Sequence, residues 1–169
     1  MVRQVQITGT GQLVELSRRL KAAGGARLKA NFARRIRKAA EPLHRDLQQT
    51  LRGLPITSQP RKAGNRGGAS PTTRPLRATI AQAIRISVRT SSSFGARVWV
   101  DKDALPADLR NMASTINTGR IRHPVFGNRR RWAQQNATPL WWDKTVRTHT
   151  PRMTAEVARV LTDVRDQLS

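Results

Sequence analysis

Acid–base, nucleophilic and metal chemistry draw on histidine, cysteine, aspartate and glutamate, and this chain of 169 residues offers few of them. It has no cysteine, so disulfides, thiolate metal sites and cysteine nucleophiles are excluded. Its three histidines, His44, His123 and His149, include no pair four residues apart and no HExxH. The closest acids outside the C-terminal region, Asp101 and Asp103, flank Lys102 at the end of a predicted strand, where a turn accounts for them. General acid–base or two-metal work needs carboxylates that converge in space, and one strand-end pair gives little reason to expect that. GxGxxG, GxxxxGK[ST] and GxSxG are all missing. Gly64-Asn65-Arg66-Gly67-Gly68 follows no predicted strand and opens no clear helix, so it reads as linker. The sequence therefore nominates no catalytic, cofactor-binding or metal-binding residue and predicts a protein that is not an enzyme.

The cations carry the signal instead. Lys and Arg number 32 against 10 Asp and Glu, a formal net charge of +22. No acid occurs between Asp46 and Asp101, or between Asp108 and Asp143. Two long acid-free stretches suit a partner that is itself anionic, either phosphate or an acidic protein face. Base-specific reading is not indicated, because no helix-turn-helix, zinc-finger or RNA-recognition signature is present. Aromatics make up 4% of the chain, with no tyrosine, too few for an extended stacking platform. No apolar run approaches the roughly 20 residues that span a bilayer, and the N-terminus lacks the apolar stretch of a signal peptide. A cysteine-free chain without an export signal is expected to be made in a reducing cytoplasm.

The elements that must position these cations follow from periodicity. Val2 to Thr8 alternates as a short strand, and Leu13, Leu16 and Leu20 recur at helical spacing. A longer helix is predicted from about Ala26 to Arg52, its stripe formed by Leu28, Phe32, Ile36, Ala39 or Ala40, Leu43, Leu47 and Leu51, with a bend at Pro42. Residues 53–75 are rich in Gly, Pro, Ser and Thr and carry Arg61, Lys62, Arg66 and Arg74; this composition predicts a flexible basic loop. Leu76 to Ala83 suggests one or two helical turns. Ile84 to Val88 and Ala96 to Val100 alternate on either side of a short polar turn and predict a β-hairpin. Met112 to Thr118 reads as a further strand, and Gly119 to Gln135 as basic loop. Thr138-Pro139 resembles an N-cap and first helical residue. The helix that follows carries Met153, Val157, Val160, Leu161, Val164 and Leu168 on one stripe, and Pro151 is expected to divide or kink it. The predicted fold is a single α+β domain over 1–169: a long bent helix and a C-terminal helix on a small antiparallel sheet.

At Arg122-His123-Pro124-Val125-Phe126-Gly127-Asn128, with Trp132 and then Pro139-Leu140-Trp141-Trp142 downstream, the chain resembles the tail-completion or neck proteins of long-tailed phages, especially those infecting actinobacteria. Thr73-Arg74-Pro75-Leu76-Arg77-Ala78-Thr79-Ile80 is similar to that family's T-x-x-L-R-x-x-I segment, and the order of elements agrees across nearly the whole chain. The sequence departs at Ile116-Asn117-Thr118-Gly119, where the family often carries a glutamate two residues before the glycine.

The resemblance implies a non-catalytic structural protein of the virion, in a ring of six copies at the head–tail junction, made in the host cytoplasm. Its implied partners are neighbouring copies, the connector or head-completion and tail-terminator proteins, and genomic DNA in the channel. No membrane or cofactor is implied. Physically, Pro124 restricts His123 to an extended conformation, while Val125, Phe126, Trp132, Trp141 and Trp142 are candidate anchors that fill either an interface or this chain's own core. The competing reading is a non-specific nucleic-acid-binding protein, which accounts for the charge but not for the His-Pro-Val-Phe-Gly run.

Overall fold

A computed structural model describes residues 4–8, 26–58, 75–89, 95–125 and 128–166. The expected helix over Leu13–Leu20 and the basic positions Arg61, Lys62, Arg66 and Arg74 lie outside these residues, as does Phe126.

Helix α1 (Ala26–Gly53) forms on the stripe that its sequence spells out. Phe32, Ile36, Ala40, Leu43, Leu47 and Leu51 are all buried to 1% exposure or less, while Arg34, Arg37, Lys38 and Arg45 coat the outside. The helix runs unbroken through Pro42. A proline there deprives the carbonyl of Lys38 of its helical donor, and Lys38 is an exposed residue that water can reach.

The same reasoning applies to the C-terminal helix, where of the two outcomes expected at Pro151, division or a kink, division does not occur. It is one element, here α4 (Trp141–Asp166). Pro151 and Arg147, whose carbonyl loses its donor, are both exposed, so solvent replaces the missing bond. Met153, Val157, Val160 and Val164 form its buried stripe. The two long helices lie antiparallel: Arg35 pairs with Asp163 near one end, and the His149 ring Nε2–H donates to Asp46 Oδ2 at 2.8 Å further along.

The expected hairpin is present as β3 (Ile84–Arg89) and β4 (Gly95–Val100), with β1 (Gln4–Thr8) added on the other side of β4. The order is β1-β4-β3, all antiparallel, with Ile86 opposite Val98 and Val5 opposite Val98. Ile84, Ala96, Val98 and Val100 are buried on the face that meets α1, and the His44 Nε2–H donates to the Ile84 carbonyl at 2.8 Å. On the opposite face the Arg97 guanidinium lies 4.9 Å from the centre of the Trp99 ring. Asp101 accepts from the Asp103 amide at 3.2 Å and stands 3.8 Å from Arg85, which gives this acidic pair a turn to hold. The short helix α2 (Leu76–Gln82) buries Ile80 and Ala81 against α1 and leads directly into β3.

Three segments differ from expectation. Within the predicted loop, Leu54 is buried and Ile56–Ser58 forms strand β2. Met112–Thr118 is not a strand but a helix, α3, preceded by a 3₁₀ turn at Ala107–Leu109. The described residues of the predicted loop over 119–135 supply β5 (Arg120–Val125) and most of β6 (Asn128–Ala137) instead. The α+β class stands, but with two three-stranded sheets, the second ordered β2-β6-β5.

Gly119 joins α3 to β5 at φ +82, a left-handed conformation in which a Cβ would lie 3.0 Å from Pro139 Cβ and 3.1 Å from the Ala137 carbonyl oxygen. Gly119→Ala combines backbone strain with that crowding. It is expected to lower stability by about 1–3 kcal/mol in a urea titration, without a change in slope.

Candidate interaction surface on a basic hairpin

The β5–β6 hairpin lies within the acid-free stretch between Asp108 and Asp143 and forms a two-faced ribbon. Strand alternation decides the faces. Ile121 and Ala137 are buried, and Ala133 and Gln135 half-buried, on the side toward the protein. Arg120, Arg122, Trp132, Gln134 and Asn136 are exposed on the other. Register pairs Arg120 with Asn136 and Arg122 with Gln134, so the outer face alternates guanidinium and amide groups across the strands. The diagonal neighbour of Arg122 is Trp132, and its guanidinium sits 4.8 Å from the ring centre.

The ladder breaks where proline enters it. Pro124 faces Trp132, yet Val125 faces Asn128, so Arg129, Arg130 and Arg131 stand in a bulge. Pro124 has no N–H to give to the ladder, and bulges accompany such sites. Three consecutive arginines therefore leave regular pairing just beside the hairpin's reversal; Arg130 and Arg131 are exposed. An exposed face of guanidinium and amide donors with no carboxylate among them can neutralise phosphate oxygens or acidic side chains. One half-exposed tryptophan (49%) already covered by an arginine is not a base-stacking platform.

Near the base of the ribbon stands Asn117, a fully buried residue of α3 that holds the start of α4. Its backbone carbonyl accepts from the Leu140 amide at 2.8 Å. Its side-chain oxygen accepts from the Trp142 amide at 2.9 Å, and its side-chain nitrogen donates to Asp143 at 2.7 Å. The first intrahelical bond of α4, from the Lys144 amide, ends on the Leu140 carbonyl at 2.9 Å, so Leu140 is the capping position. Thr138 is therefore not the cap. Leu140 has φ 59, its own side chain has no oxygen, and Asn117 supplies the cap from another helix. The Ala137 amide donates to the Gly119 carbonyl at 3.0 Å, closing the base of the hairpin beside this knot.

The candidate anchors separate accordingly. Trp141 and Trp142 are each 2% exposed and pack edge to face at 5.6 Å, so they complete this chain's own core rather than a free surface. Trp132 alone among the three is presented outward. The backbone of His123, Pro124 and Val125 runs in β5. Trp132→Ser is expected to lower stability by about 1–2 kcal/mol in a thermal melt, since the ring is only half exposed and its Arg122 contact is lost. Among the described residues no three His, Asp or Glu side chains gather as a metal site, and no helix is long and apolar enough to cross a membrane.

No protein-family model, curated protein or solved structure matches this chain.

Proposed function

We propose that this protein is a non-enzymatic structural component of the head–tail junction of a tailed phage, a tail-completion or neck protein that assembles as a ring around the DNA path. The observation that carries the reading is the placement of Arg122–Asn128. The described residues of the run that resembles the phage family, 122–125 and 128, end β5 and begin β6, beside a bulge of three arginines and an outer face free of carboxylates. A ribbon of this kind suits docking between rings, where its cations meet acidic neighbours or the phosphates of the exiting genome. Six copies would bring on the order of 130 formal positive charges to one junction, enough to hold both kinds of partner. Virion localisation and the hexameric ring belong to this proposal.

The second reading, a non-specific nucleic-acid-binding protein, is favoured by the same arginine bulge. Affinity for DNA does not separate the two, because any chain of this charge binds DNA at low salt. Location does. Antibody-gold labelling of purified virions is expected to place gold at the head–tail junction. Unlabelled particles, with the protein recovered on host nucleic acid, would overturn the neck reading in favour of the second.

A further inference from the structure

The antiparallel helices α1 and α4 leave a groove of about 430 Å³ between them. Its floor is apolar: Ala39, Pro42 and Leu43 from α1, Met153 and Val160 from α4. Leu43, Met153 and Val160 are buried, and Ala39 and Pro42 half-buried, so the floor is continuous with the core. The remaining lining is charged. Arg35 is engaged by Asp163, His149 by Asp46, and Arg159 stands 3.5 Å from Glu156, the one carboxylate of the lining. That leaves Lys38 on one helix and Arg152 on the other, both exposed and without an ion-pair partner among the described residues.

We infer that this groove receives an acidic, amphipathic segment of a partner protein. An apolar floor rewards apolar side chains, at roughly 25 cal/mol for each Å² removed from water. The unmatched cations, one from each helix, select carboxylates beside them, the usual arrangement when an amphipathic helix lies in a groove. Nucleic acid fits less well: the floor has no aromatic ring for a base to stack on, and phosphates gain nothing from Leu43, Met153 or Val160. No residue of the β5–β6 hairpin lines the groove, so the inference does not depend on the function proposed for that ribbon.

The test uses the full chain and two fluorescein-labelled peptides of equal charge, one alternating leucine and glutamate at helical spacing, the other with every leucine replaced by serine. The leucine peptide is expected to bind at least about tenfold more tightly. Ala39→Gln sets a polar side chain over the floor without changing charge, and should remove that advantage while affinity for a short DNA duplex stays as in the unaltered protein. Should Ala39→Gln disturb the fold by circular dichroism, Lys38→Gln with Arg152→Gln, both on exposed positions, serves instead and should weaken the leucine peptide several-fold. Equal binding of the two peptides, a leucine preference that survives in folded Ala39→Gln, or undiminished affinity of the double variant for the leucine peptide would overturn the inference. So would parallel loss of DNA and peptide binding in the charge-neutral Ala39→Gln, which would make the groove a nucleic-acid face.

Discussion

Changing Arg120, Arg122 and Arg131 together to glutamine is expected to weaken binding to duplex DNA on the order of 10²-fold at about 0.1 M salt. All three side chains are exposed on the β5–β6 ribbon. Each phosphate neutralised by an arginine releases counterions, and contributes about 0.9 to the slope of log affinity against log salt. Three lost contacts should therefore flatten that slope by close to three, measured by fluorescence anisotropy across a salt series. The slope is the informative quantity. Removing three charges from a chain of net +22 lowers affinity by a general field effect alone, but only direct contacts take whole units from the slope. Glutamine is shorter than arginine but stays polar and hydrogen-bonding on an exposed face, so the ribbon itself should persist. A slope equal to that of the unaltered protein would mean that DNA, where bound, meets other cations and that the ribbon's arginines face protein.

Asn117→Ala is expected to cost about 2–4 kcal/mol in urea-induced unfolding. The side chain caps α4 from outside that helix, and it is fully buried. Ordinary cap removal costs about 1 kcal/mol, because water reaches the freed amide. Here the Trp142 amide is enclosed beside buried Trp141 and Trp142, so its lost partner is not replaced and the full desolvation penalty applies. Asn117→Asp should not rescue the loss at neutral pH. It keeps an acceptor for the amide but gives up the donor to Asp143, and brings two carboxylates to the distance now spanned by a 2.7 Å hydrogen bond. A loss below about 0.5 kcal/mol for Asn117→Ala would mean that the cap contributes little and that Leu140 holds the turn unaided.

The segments that the sequence disclosed and those that it hid differ in how they are stabilised. α1 was legible because its stripe is large, apolar and unbroken over about five turns, so that burial alone selects the helix. The β3–β4 hairpin was legible because one of its faces meets that helix, and half-burial of a strand writes alternation into the sequence. The β5–β6 ribbon has no such signature. Its outer face carries Arg, Gln, Asn and one Trp, the described part of its inner face Ile121, Ala133, Gln135 and Ala137, and a stretch of that composition looks like loop. Met112–Thr118 misled in the other direction: Thr115, Ile116 and Thr118 favour a strand locally, but Ala113, Ile116 and Asn117 are buried at helical spacing, and that spacing was the available signal.

By itself, then, the sequence determined the charge, the two long apolar stripes and the first hairpin, and with them the α+β class. Those properties depend on residue type and short-range period, which a linear reading contains. Tertiary structure alone decided which face each tryptophan took, that Asn117 would cap a helix 24 residues downstream, and that three arginines would leave the ladder beside Pro124. Each of these is set by a partner distant in the chain. Burial, capping and strand register are properties of pairs, and no single segment states which pair it will join.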